Sequence, residues 1–313
     1  MNVFVAGGAG AVGTRLVPRL VEAGHAVVAT TRSPAKVRAI EEMGARGVVV
    51  DGLDRAAVER AVQDARPEVV IHQLTALSGP VDLRRFDRFF ALTNRLRTEG
   101  LDHLLAAARA VGARRFLAQS FAGWPYAREG AAVKTEEDRL DPDPPKRQRQ
   151  TLAAIRYLED AVTGADDVQG LALRYGGFYG PGNVLGRGGQ MVEQVRRRRV
   201  PIVGDGAGVW SFLHIEDAAS ATVAAVGAGA PGVYNVVDDE PAAVSEWLPY
   251  LAETLGAKPP RRIPVWLARA AAGEAGVSMM TRIRGASNEK AKRELGWRPR
   301  WASWREGFRD GLG

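Results

Sequence analysis

The sequence predicts an α/β protein: a doubly wound, Rossmann-type parallel sheet with a smaller C-terminal substrate-binding region. Two observations carry that expectation. β-rich runs alternate with helix-period segments from the first residue, and the glycine-rich turn GGAGAVG joins the first strand to the first helix. A third observation limits it. After Ser120 the alternation breaks into FAGWPYAREGAAVKTEEDRLDPDPPK, a connection rich in proline and charge without periodicity, of the kind that is usually functional.

The elements follow in order. MNVFVAG reads as a strand, and AVGTRLVPRLVEAG as a helix closed by glycine. HAVVATTR is a second strand, and SPAKVRAIEEMG a helix capped by Ser33 with Pro34 at its first position. GVVVDG, LDRAAVERAVQDA and EVVIHQL repeat the theme, followed by a long helix through ALTNRLRTEGLDHLLAAARAVG and the strand RRFLAQS. Beyond the long connection, TLAAIRYLEDAV is helical and GLALRYGGFYG extended. Residues 1–174 are expected to supply most of the dinucleotide-binding domain and 175–313 mainly the substrate region. Strands near 209–215 and 233–237 are expected to return to the sheet or its edge.

Composition excludes several classes. With no cysteine there are no disulfides and no thiolate metal sites, and no metal is expected. No apolar run reaches the roughly 18 residues that a membrane span needs, and MNVFVAGGAG lacks the pattern of a signal peptide, so a cytoplasmic protein is expected. The net charge of +7 is scattered, and its densest cluster, Arg196 to Arg199, suits a solvated helix end better than a nucleic-acid face. The expected partner is a small molecule, with no nucleic acid and no membrane, and a homodimer is left open.

Gly7, Gly10 and Gly13, with Ala11 and Val12, sit where a backbone must turn tightly and approach a pyrophosphate at a helix N-terminus. An NAD site usually carries an acid about 20 residues on, at the end of the second strand. Here stand Thr31, Arg32 and Ser33, with Lys36 one turn later and no carboxylate among them. A guanidinium with hydroxyl donors suits a 2′-phosphate, so the cofactor is expected to be NADP(H) rather than NAD.

With GGAGAVG, the segments VVVDGLD, IHQLTA, RTEGLDHLLAAA, QSFAGW, LRYGGFYGPG, GDGAGVWSFLHIEDAA and SNEKAKRELGWRP stand in one order. In this set the chain resembles the extended short-chain dehydrogenase/reductase superfamily, in its NAD-dependent epimerase/dehydratase branch, over nearly its whole length. The resemblance implies that Asp51 and Gly52 lie at the adenine and that Leu74, Thr75 and Ala76 pass under the cofactor. It also implies that Ser120 hydrogen-bonds a substrate oxygen beside the nicotinamide. Tyr175 takes the place of a proline usually found after the arginine of the sixth strand, and the resemblance implies that it lies in the cleft wall against the cofactor.

The family also uses a tyrosine with a lysine four residues later on one helix face, the first to pass a proton and the second to hold the ribose. None of the six tyrosines here is followed by lysine at that spacing. Aligning the helix on LAAI puts Arg147 and Thr151 in those places, while aligning on Glu159 puts Thr151 and Ile155 there. Tyr126 is the first choice as substitute acid, with Lys134, Lys146, Tyr179, His72 and His214 as further candidates. Where nucleotide-sugar enzymes carry an arginine for the diphosphate, Trp210 and Ser211 stand instead, which favours an apolar or aromatic substrate. The expected activity is that of an NADP(H)-dependent oxidoreductase on a ketone or secondary alcohol, with an altered proton donor. An epimerase or dehydratase with tightly held cofactor, and a catalytically lapsed sensor, are the alternatives.

Overall fold

A computed structural model of the chain describes residues 1–77 and 83–313. Seven parallel strands form its central sheet: β1 (Asn2–Ala6), β2 (Ala26–Thr31), β3 (Arg46–Val49), β4 (Val69–His72), β5 (Arg115–Phe121), β6 (Gln169–Tyr175) and β7 (Gly232–Val236). They lie in the spatial order β7-β6-β5-β4-β1-β2-β3. The order reverses at β1, so the crevice outside its carboxyl end is the place where such sheets bind ligands.

Alternation within the strands divides the core in two. Val3 and Val5 point to one face and pack with Leu16, Val17 and Leu20 of α1 (Gly13–Glu22). Phe4 and Ala6 point to the other, against Val58 and Val62 of α2 (Arg55–Ala65) and Leu101, Leu104 and Leu105 of α3 (Leu101–Ala110). Leu158 and Val162 of α4 (Arg149–Thr163) complete that second layer, and Ala218, Ala221 and Ala225 of α5 (Ile215–Gly227) the first. Both faces are covered, which is why the strands read as continuous apolar runs.

Three expectations need correction. The long helix expected through residues 91–112 is interrupted: Ala91–Arg95 passes through one wide, π-helical turn at Leu96–Gly100 before α3 begins. Ser33 precedes a short 3₁₀ turn at Pro34–Lys36, but its side chain makes no capping bond. Of the two strands expected to rejoin the sheet, 232–236 does so by pairing with β6. The segment at 209–215 does not: Val209–Trp210 pairs antiparallel with Ala242–Ala243, and Phe212–His214 pairs with Gly177–Tyr179. These short pairs enclose a separate aromatic core of Tyr179, Phe212, Trp247, Trp304 and Phe308. The connection after β5 is tied to this half through Val133–Lys134, which pairs with Gly285–Ala286.

Candidate active site

At the end of β1, Gly7 has φ +98°, and a Cβ there would meet the Gln73 carbonyl oxygen at 2.8 Å. A Cβ on Gly13 would lie 2.4 Å from the Gly7 carbonyl oxygen, so only glycine lets α1 approach the loop this closely. The N–H groups of Ala11, Val12 and Gly13 have no acceptor among the described residues. Orphan donors at a helix N-terminus beside an open glycine turn fit a dinucleotide pyrophosphate.

The floor and corners of the cleft are built from neighbouring segments. Thr30 fixes the loop by accepting from the Gly7 N–H through its hydroxyl at 3.2 Å. Thr31 is buried and accepts from the Ser33 N–H at 3.1 Å, while Arg32 and Lys36 are exposed without an ion pair among the described residues. Asp51 is exposed at the mouth and accepts from the Leu53 N–H at 3.0 Å, and Gly52 is buried against Leu74. Leu74, Thr75 and Ala76 are half-buried, and Thr93 holds the Ala76 N–H at 3.1 Å. Tyr175 is not in the cleft wall as expected. It is fully buried, and its hydroxyl accepts from Gln73 at 3.0 Å and lies 2.6 Å from the Thr222 hydroxyl. Burial pushes it up to about 12, and it props the floor loop from beneath through Gln73.

The two residues expected to carry catalysis are also sealed. Ser120, 1% exposed, donates to Glu159 Oε1 at 2.6 Å. Glu159 receives two further bonds from Arg174, at 2.7 and 2.6 Å. Arg174 also donates to the Tyr126 hydroxyl at 2.9 Å, and that hydroxyl donates to Asn235 Oδ1 at 2.6 Å. Tyr126 is fully buried, and burial pushes its hydroxyl up to about 12. The resulting chain, Ser120–Glu159–Arg174–Tyr126–Asn235, ties β5, α4, β6, the long connection and β7 together. Neither hydroxyl hydrogen remains for a substrate oxygen.

The further candidates divide similarly. His214 Nδ1 accepts from the Glu216 N–H at 3.2 Å and caps α5, with Nε2 placed 3.1 Å from the Gly311 carbonyl. His72 Nε2 lies 2.9 Å from the Leu96 carbonyl, which assigns the ring hydrogen to Nε2. Lys134 is buried against Asp138 at 3.0 Å, and Tyr179 is fully buried among aromatic rings. Lys146 alone is exposed, beside a cavity of about 400 Å³ shared with Arg147 and Arg269.

On α4 the positions four apart, Thr151, Ile155 and Glu159, all turn inward and are buried. Arg147 precedes the helix, is exposed, and donates to the Arg84 carbonyl. The structure therefore puts Thr151 and Ile155, not Arg147, on the inner face. Thr151 donates to Asp87 Oδ1 at 2.7 Å and accepts from Asn94 at 3.1 Å. Ile155 joins Phe86, Trp124, Leu152 and Ile283 in an apolar cluster flanked by Phe121, Trp210 and Met279. Trp210 donates its indole N–H to the Met279 carbonyl at 2.9 Å.

One residue was missed by sequence reasoning. Arg97 lies on the wide turn, is 5% exposed, and makes no hydrogen bond or ion pair among the described residues. Burial pushes it down to about 10. The only signal available was an arginine at an inward position of an otherwise apolar helix pattern.

Sheet order and glycine cradle together define a dinucleotide-binding protein. The profile of the NAD dependent epimerase/dehydratase family matches residues 3–236, and the chain belongs to that family. It is an NAD(P)-dependent enzyme of the oxidoreductase or epimerase class. It is 46% identical over 311 residues, 98% of its length and 99% of the other's, to a 3-diazoavenalumate denitrifying reductase of a Streptomyces species. It is 30% identical over 269 residues, 82% of its length and 76% of the other's, to the 2-alkyl-3-oxoalkanoate reductase of Stenotrophomonas maltophilia. The UDP-glucose 4-epimerase of Thermotoga maritima, solved with UDP-glucose, superposes with TM-score 0.78 at 24% identity, covering 100% of this chain and 97% of that one. Among the described residues, no helix is long and apolar enough to cross a membrane.

Proposed function

We propose that the protein is an NADPH-dependent reductase that replaces the diazo group of a small, apolar or aromatic carboxylate by hydrogen. The observation that carries this reading is the inner face of α4. Thr151 is tied to Asp87 and Asn94, and Ile155 is aliphatic, so no proton-donating acid stands where the family places one. Reducing a ketone adds a hydride to carbon and a proton to oxygen, and thus calls for an acid. When bound, the nicotinamide supplies a hydride; on a diazonium carbon this forms C–H as the C–N bond breaks and dinitrogen leaves with its electron pair, without a proton. The Streptomyces relative is named for loss of nitrogen from a diazo substrate, and its match spans nearly the whole of both chains.

The chain's own residues would do the rest. Gly7, Gly10 and Gly13 with the N–H groups of Ala11 and Val12 would hold the pyrophosphate, and Leu74–Ala76 would floor the cleft. Arg32 with Thr31, Ser33 and Lys36 would take the 2′-phosphate, since no carboxylate at that corner repels it. The packed apolar cluster of Phe86, Trp124 and Ile155, with the half-buried Trp210 beside it, would back the substrate side of the cleft and keep it poor in water.

The test is isotopic. Purified protein is given an aromatic diazonium carboxylate and NADPH deuterated at the transferring position, in ordinary water. The expected result is dinitrogen release with deuterium in the new C–H bond. Turnover of ketones but not of the diazonium, or a new hydrogen taken from solvent, would overturn the reading.

A further inference from the structure

We infer that Arg97 supplies the fixed cation at the nicotinamide end of the cofactor cleft, from the helix beside the one that lacks it, and that its ligand is the hydroxyl edge of the nicotinamide ribose. The inference rests on the cofactor class and not on the diazo substrate proposed above. Three arginines among the described residues are less than a tenth exposed: Arg97, Arg115 and Arg174. Arg115 makes four hydrogen bonds, to three backbone carbonyls and Gln169, and Arg174 makes three. Arg97 makes none. Its Nη1 is sealed without an acceptor, whereas Nε and Nη2, equally unbonded, keep contact with solvent. A buried charge without partners is among the costliest arrangements in a protein interior. The guanidinium fits the chain only if something absent from the polypeptide completes it.

Position says what that is. The segment carrying Arg97 is the one from which the cofactor floor hangs: Thr93 holds the Ala76 N–H, and the Leu96 carbonyl holds His72 at the end of β4. Its other neighbour is α4. Asn94 bonds to Thr151, so Arg97, one turn on, stands opposite the next turn of α4, between Ile155 and Glu159. Glu159 is near enough for its charge to reach Arg97, but both carboxylate oxygens are already bonded to Arg174. The guanidinium is thus within charge reach of Glu159, one turn beyond Ile155, and of His72, which leads into the floor loop; a lysine at position 155 would serve the same corner. The free N–H donors of Arg97 suit a diol, and its fixed charge needs no proton exchange to do so.

The experiment compares two probes on the intact protein. NADPH carries the nicotinamide ribose, and adenosine 2′,5′-bisphosphate lacks it. Arg97→Met is expected to weaken NADPH binding about 10- to 100-fold, the range for a charge-assisted bond, while adenosine 2′,5′-bisphosphate binds as before. Arg97→Lys should recover part of the loss. Without nucleotide, the melting temperature of Arg97→Met should equal or exceed the parent's, because an unpaired buried charge has gone. Should the parent prefer NADH, the pair NADH and ADP replaces the first, so failure of the 2′-phosphate assignment leaves this test intact. Unchanged NADPH binding, parallel weakening of both probes, or a melting temperature lowered by several degrees would each overturn the inference. A raised KM for substrate with NADPH binding intact would overturn it in favour of a substrate oxygen.

Discussion

Two buried arginines on either side of α4 behave in opposite ways. On the sheet side, Arg174 is 4% exposed and every strong donor finds an acceptor. On the floor-loop side, Arg97 is 5% exposed and finds none among the described residues. The first arrangement belongs to the fold alone: Ser120, Glu159, Arg174 and Tyr126 bond to one another and to Asn235 Oδ1, and leave no hydroxyl hydrogen for a ligand. The second is incomplete without one. Burial and residue type are the same, so the bookkeeping of partners is what separates a structural cation from a binding one.

The sharpest way to break that contrast is Arg174→Met. It strands the Glu159 carboxylate among apolar neighbours and should cost about 3–5 kcal/mol of stability, read from urea denaturation. The matching Arg97→Met change should cost nothing or stabilise. Similar losses in both would abolish the distinction.

Arg32→Ala carries the comparison to the cleft's other end, where the unpaired cation is exposed. There it should leave stability unchanged and weaken NADPH by about 1.5–3 kcal/mol with NADH unaffected, measured by fluorescence titration. Equal affinities of the parent for both cofactors would remove the 2′-phosphate argument.

Tyr126→Phe tests the saturated side more gently. It removes one hydroxyl from Arg174 and Asn235 and should cost about 1–3 kcal/mol of stability. Turnover per folded molecule should not change. A tenfold fall in kcat with cofactor binding intact would restore Tyr126 as the acid.

The contrast also explains what was legible in the sequence. The glycine cradle was legible because it is a matter of backbone: Gly7 needs its left-handed φ and Gly13 its missing Cβ, and few other residues satisfy either. The strand at 232–236 was legible from its apolar run, but its likeness at 209–215 was misleading. Phe212 and Trp210 there pack on Trp247 in a second core, and periodicity does not say which core a strand serves. Ser120 and Tyr126 were misplaced for a related reason. Their residue types suit catalysis, while their partners Glu159, Arg174 and Asn235 come from 39 to 109 positions away in pairs that spacing does not reveal. Arg97 was invisible because an absence of partners exists only in three dimensions.

The smallest expected effect links the two sides through His72. Burial lowers this imidazole below its ordinary value of 6.5, and the nearby Arg97 charge lowers it further. The folded state thus takes up the proton at lower pH than the unfolded state does. The stability this confers is fully present above about pH 6.5 and is lost as pH falls below it, because the unfolded chain binds the proton first. His214, lowered chiefly by burial, acts in the same direction. Asp238, raised by burial, acts in the opposite sense, so a bulk melting curve mixes these contributions. His72→Gln separates them, since the glutamine amide nitrogen can take the place of Nε2 and donate to the Leu96 carbonyl but does not titrate. The melting temperature of the parent should fall more between pH 7.5 and 5.5 than that of His72→Gln. In Arg97→Met, the His72 resonance followed by NMR should titrate at higher pH than in the parent, because one of the two influences holding it down has gone. No movement of that midpoint would place the Arg97 guanidinium away from the end of β4, and would undermine both its position at the floor loop and the contrast with Arg174.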